Sequence, residues 1–197
     1  MKQLRLLPVI TLILIIFTTP IFASGIPENE VEQQPLTTAT DSFGQEIQAT
    51  IPIGNIAIIG RAAIMPADAL YLFDEAKEMN VTMAKTDQGL GDFFPLIIPQ
   101  ENATKRLGQT VSVEEILRIN PDIILTKSRN KEDIVSQTEQ FNIPVFALDL
   151  ETMASWKEEL IQLGTLLNNE ARGKEIVSEI TRREMGVKER TDGVDRP

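Results

Sequence analysis

The chain has 197 residues, 42% of them hydrophobic and 24% charged, a balance that excludes disordered and collagen-like classes and supplies one real core. Its 19 Lys and Arg face 29 Asp and Glu, and the formal net charge of −10 argues against nucleic acid, whose binders need a basic face. It has no Cys and no His. That excludes disulfides, thiolate metal sites and cysteine nucleophiles, and removes the commonest general base and zinc ligand, so the composition favours binding over catalysis.

The N-terminus reads as a targeting segment over residues 1–23. Lys2 and Arg5 precede the apolar run Leu6 to Phe17, and Pro20 then leads to Ile21-Phe22-Ala23-Ser24. A positive start, an apolar middle and small residues after a helix breaker form a secretory signal, with cleavage expected after Ala23. The alternative is an uncleaved anchor, since Leu4 to Ala23 is just long enough to span a bilayer. Residues 24–40 are polar, hold Pro27 and Pro35, show no periodic apolar face and read as a flexible leader.

From Asp41 a regular alternation begins. Ile51 to Ile59 is a β-branched apolar run ended by Gly60, which predicts a buried strand. Pro66 to Met79 has Ala69, Leu70, Phe73, Ala76 and Met79 at helical spacing. Asn80 to Ala84 is a strand candidate. Ser112 to Ile119 predicts a helix that opens with a Ser112/Glu115 capping box and stops before Pro121. Asp122 to Thr126 is a strand, Lys131 to Phe141 a helix, Pro144 to Leu148 a strand, and Thr152 to Leu167 a helix. Glu170 to about Glu189 forms one long charged helix. Strands separated by helices of this length imply βαβ units: an α/β fold with a parallel sheet flanked by helices, ending in a long helix. The lobe is expected over residues 41–168, with the long helix and chain end over 169–197.

In such sheets ligands gather at the carboxyl ends of the strands. The loops expected there carry Arg61 and Met65, then Lys85 and Asp92, then Lys127 and Arg129, and last Asp149 and Glu151. Basic residues gathered at strand ends of so acidic a chain suggest a local anion site; the alternative is that they are ordinary solvated loop charges. Gly89 and Gly91 lack the third glycine of a dinucleotide loop and read as a turn. Ser128 and Thr152 have no His to activate them, so no catalytic nucleophile is assigned. Asp92, Asp149 and Glu151 could pair as acid and base or hold a cation, but their spacing equally suits caps and turns, and no metal site or cofactor is expected.

Several segments together resemble a known family. DSFGQEIQATIP from Asp41, the block VSVEEILRINPDIILTKSRN, the strand NIPVFALD and the helix TMASWKEELIQLGTLLNNEARGKEIVSEI are similar to the helical-backbone substrate-binding proteins of ABC importers. That class carries ferric siderophores, haem and cobalamin between two α/β lobes joined by one long helix. The resemblance runs from Asp41 onward and implies the first lobe and the joining helix. The chain stops at Pro197, about where the second lobe is expected to start. It further implies an exported, non-enzymatic protein that hands a metal chelate to a membrane permease. An anionic chelate would meet Arg61, Lys85 and Lys127 or Arg129, with Met65 and Asp92 alongside. Glu114 matches the glutamate that docks on permease arginines, with Glu115 adjacent; alternatively both simply favour a helix N-terminus. Two other readings remain at this point: a lobe that binds protein, or is vestigial, and a metal-dependent α/β enzyme.

Overall fold

The computed structural model describes residues 34–85, 105–108 and 110–193. The first element is a hairpin of β1 (Leu36–Thr40) and β2 (Glu46–Thr50), antiparallel, with Leu36 opposite Thr50 and Thr40 opposite Glu46. β1 occupies the last five residues of the segment read as leader. Its Thr-rich sequence hides the period of two, yet Thr37 and Ala39 are buried while Leu36 and Thr38 are exposed. The turn is set by Asp41, whose carboxylate accepts the backbone N–H groups of Phe43 (2.9 Å) and Gln45 (3.1 Å).

Strands β3 (Asn55–Ile58), β4 (Asn80–Ala84), β5 (Lys105–Leu107), β6 (Ile123–Lys127) and β7 (Val145–Leu148) form one parallel sheet in the order β5-β4-β3-β6-β7. β3 is shorter than the apolar run from Ile51 to Ile59, because the Ile51 N–H is taken by Pro35 O in an extension of the hairpin. The sheet begins at Asn55 because Asp122 accepts the N–H groups of Gly54 and Asn55, each at 2.8 Å. The Pro121-Asp122 pair thus pins the starts of two neighbouring strands together. β5 was not expected; three residues between polar neighbours give no readable period.

The helices are α1 (Ile64–Leu70), α2 (Val113–Ile119), α3 (Lys131–Thr138), α4 (Met153–Leu166) and α5 (Glu170–Thr191). α2 has the expected capping box: Ser112 accepts from Glu115 N–H and the Glu115 carboxylate accepts from Ser112 N–H. The helix expected over Pro66 to Met79 instead breaks after Leu70. Phe73 is extended (φ −104°, ψ 130°) and fully buried, and a 3-10 turn follows at Asp74–Lys77. Burying that ring against the α4–α5 corner outweighs continued helical hydrogen bonding.

Both sheet faces are covered, as a parallel sheet requires. Ile56, Ile58, Met83, Leu125, Phe146 and Leu148 pack with α1, α4, α5 and the hairpin into the larger core. Ala57, Ile59, Ile124 and Val145 pack with Ile116 of α2 and Ile134 of α3 into a smaller one. Where α5 turns back on α4, a Cβ on Gly173 would lie 2.7 Å from Leu160 O, so the two helices touch backbone to backbone. Among the described residues no helix is long and apolar enough to cross a membrane.

Candidate functional site

The sheet order reverses at β3: the chain runs outward through β4 and β5, then returns to place β6 on the other side. A crevice at the carboxyl ends of β3 and β6 follows from that topology. Its floor is built by two loops. Gly60 (φ 92°) and Ala62 (φ 58°) both take left-handed backbone conformations, so the loop after β3 turns sharply. Asn130, from the loop after β6, holds it in place: its Oδ1 accepts from Arg61 N–H at 3.3 Å and its Nδ2 donates to Arg61 O at 3.0 Å. Gly60 is required here, since a Cβ on it would lie 2.8 Å from Asn130 Cγ. Asn130 therefore fixes the backbone from which Arg61 projects.

Three of the sequence-predicted cations are exposed at this edge: Arg61 after β3, Lys85 after β4 and Arg129 in the 3-10 turn after β6. Their strands are consecutive in the sheet, β4-β3-β6, so the three loops span about 10 Å at ordinary strand spacing. None of the three joins an ion pair among the described residues. Met65 lies half-buried in the first turn of α1, against the larger core. Asp92, with Gly89 and Gly91, lies outside the described residues.

Lys127 departs from the expected role. It is the last residue of β6, its side chain is 1% exposed, and its Nζ meets Glu151 Oε1 at 2.7 Å and Asp149 Oδ1 at 3.9 Å. The alternation of the strand turns it inward, where its charge neutralises carboxylates rather than facing an incoming anion. Ser128 Oγ also donates to Asp149 Oδ1 at 2.9 Å. Beneath these groups lies Glu159, buried on α4, whose carboxylate accepts the N–H groups of Asp149 (2.7 Å) and Leu150 (3.2 Å). Burial is the largest influence on it and pushes its pKa up to about 7, with the Asp149 charge adding to the shift; the two backbone donors and Lys127 oppose it. Neither Asn130 nor Glu159 was among the candidate site residues. The signal for Glu159 was a carboxylate on the apolar stripe of a helix, between Trp156 and Leu163 at helical spacing.

Glu114 and Glu115 separate in the structure. Glu115 is committed to the capping box, whereas Glu114 is exposed on the first turn of α2. Its own backbone N–H and the Ser112 side chain hold the Glu114 carboxyl below the usual carboxylate range.

Comparison with known proteins is consistent with this layout. Residues 66–197 match the family model for periplasmic binding proteins. No curated protein sequence gives a significant match. Among solved structures the fold is similar to a periplasmic solute-binding protein of Veillonella parvula (TM-score 0.63, 15% identity), covering 82% of this chain and 50% of that one. It is similar to the Haemophilus influenzae molybdate periplasmic binding protein MolA bound to molybdate (TM-score 0.65, 16% identity; 80% and 54% covered). It is also similar to Staphylococcus aureus SirA complexed with staphyloferrin B (TM-score 0.55, 16% identity; 79% and 51% covered). The chain thus spans about half the length of these structures. The likeness to helical-backbone binding proteins read from the sequence holds, and with residues 66–197 matched to the family model the chain belongs to the periplasmic binding protein family.

Proposed function

We propose that this chain supplies the first lobe of an extracytoplasmic solute-binding protein that passes an anionic metal chelate, of the ferric-siderophore kind, to an ABC importer. The observation that carries the reading is the row of exposed cations on three consecutive strand ends, Arg61, Lys85 and Arg129, on a floor fixed by Asn130. In a chain of net charge −10, such a row is a local attractor for an anion of chelate size. MolA bound to molybdate and SirA complexed with staphyloferrin B support an anionic or chelate cargo. Residues 1–23 would act as the export signal. Glu114, exposed at the rim of α2, would dock on permease arginine, while Glu115 stays with its helix cap.

Titration calorimetry of the chain with molybdate and with a ferric tris-catecholate tests the reading. Arg61→Ala should weaken binding of whichever anion is taken by about 1.5–3 kcal/mol, roughly 10- to 150-fold, the loss of a charge-assisted hydrogen bond. Equal affinity in Arg61→Ala, Lys85→Ala and Arg129→Ala would remove this edge as the binding site. The docking role is checked separately: Glu114→Arg should leave binding unchanged and abolish stimulation of the importer's ATPase.

A further inference from the structure

Arg61 faces more than the open strand ends. It also lines a cavity of about 190 Å³ that opens beside the crevice, between β3, the start of α2 and the first two turns of α3. The floor of this cavity is apolar: Ile59 of the β3 end, Ile116 of α2 and Ile134 of α3, each buried and each belonging to the smaller core. Polar residues line it as well: Arg61, Thr110, Asn130, and Asp133 and Gln137 of α3. The Gln137 side-chain amide donates to the Asp133 backbone carbonyl at 3.0 Å.

The volume, the floor and the polar lining together restrict what fits. A dry apolar cavity of about 150 Å³ is large enough for benzene. This one is slightly larger, and Arg61, the one arginine among its described lining residues, carries the group best shaped for two parallel hydrogen bonds to a carboxylate. Asp133, also part of the lining, disfavours a second negative charge on the same guest. We infer that this cavity is a side subsite for a benzoate-sized monocarboxylate: the apolar body on Ile59, Ile116 and Ile134, the carboxylate on Arg61, dicarboxylates rejected by Asp133. The inference rests on the strand-end reading above, of which the subsite is a lateral extension. A chelate carrying one aromatic or compact aliphatic acid arm would occupy both.

The test is a methyl-NMR titration of the isoleucine-labelled chain with three probes: benzoate, phthalate and molybdate. Benzoate should give saturable shifts at the Ile59, Ile116 and Ile134 methyls. Arg61→Gln should weaken that binding at least tenfold, and Gln137→Trp, an exposed position beside the mouth, should block it. Phthalate should bind at least tenfold more weakly than benzoate, and Asp133→Asn should narrow the gap. Molybdate reads the open strand ends instead, through Lys85→Ala and Arg129→Ala. If molybdate binds there while benzoate leaves the three methyls unmoved, the subsite is overturned and the strand-end reading stands. If benzoate binds and molybdate is indifferent to Lys85 and Arg129, the subsite stands and the strand-end reading falls. Benzoate binding that ignores Arg61→Gln overturns the proposal, as does phthalate binding as tightly as benzoate.

Discussion

Glu159 shows how one side chain ties stability to the geometry of the site. Its carboxylate sits under the turn that follows β7 and accepts two consecutive backbone N–H groups, one of them from Leu150, which is held at a positive φ of 53°. A turn with a left-handed leucine costs energy and persists because its surroundings fix it. Burial favours the protonated acid, so the folded pKa of about 7 stands above the 4.5 of an exposed glutamate. A raised folded pKa means that the folded chain binds the extra proton between those two values. The stabilisation is fully present below about pH 4.5 and is lost as the pH rises through about 7, by at most roughly 3 kcal/mol. Glu159→Gln keeps an acceptor for the two N–H groups and removes the titration. Denaturant unfolding at pH 5 and pH 8 should show a drop in stability for the native chain that Glu159→Gln abolishes. Equal drops in both proteins would assign the pH dependence to other groups.

Two glycines in the long helix α5 make opposite predictions from the same substitution. At Gly173 a Cβ would meet Leu160 O at 2.7 Å and Ile161 Cα at 3.0 Å, both backbone atoms that cannot swing aside. Gly173→Ala must push α5 off α4, and overpacking of this kind costs about 1–3 kcal/mol. At Gly186 a Cβ would meet nothing within 4 Å, so Gly186→Ala should stabilise by roughly 0.5–1 kcal/mol through helix propensity alone. Thermal unfolding of the two variants should move the midpoint in opposite directions; a fall in both would mean that Gly186 is also needed for packing. At this scale much of the fold is legible. β4 spans the expected Asn80 to Ala84, and α2 and α4 start at the caps Ser112 and Thr152. What escaped reading depends on distant partners. β1 is a strand because α4 and β2 receive it: Thr37 Oγ1 donates to Thr165 O at 2.7 Å, and Thr40 N–H to Gln162 Oε1 at 2.8 Å. The break after α1 is set by the place into which Phe73 packs, and the burial of Lys127 by which face of β6 it falls on. Arg61, Lys85 and Arg129 fall at strand ends where chain order alone places them, whereas Asn130 acts across the crevice on a loop 69 residues away in sequence.

For the molecule as a whole, the hairpin covers part of one edge of the sheet. β7 is an outer strand, and such an edge offers unpaired backbone groups to any passing chain. Here Ser42 N–H donates to Ala147 O at 2.9 Å, so the hairpin turn covers part of that edge. The turn is locked from behind by Lys131 at the start of α3, which pairs with the fully buried carboxylate of Asp41, donates to Gln45 Oε1, and lies 5.1 Å from the centre of the Phe43 ring. The lock joins the hairpin to the helix that follows β6, so it couples the first described element to the site-bearing loops. Removing one partner of a buried pair leaves the other charge without compensation, a loss of about 3–5 kcal/mol. Asp41→Ala also removes the acceptor for the Phe43 and Gln45 N–H groups, so the turn itself should loosen. Hydrogen exchange of the β7 amides should accelerate in Asp41→Ala while those of β3 and β4 keep their protection relative to global unfolding, and the variant should self-associate at concentrations where the native chain does not. The double variant Asp41→Asn, Lys131→Met keeps the turn acceptor and removes both charges. It should recover most of the stability, because an apolar side chain of similar length fills the space of Lys131 without a buried charge to neutralise. Failure of the double variant to recover would mean that the charge pair itself, rather than the turn it accompanies, holds the hairpin on the sheet.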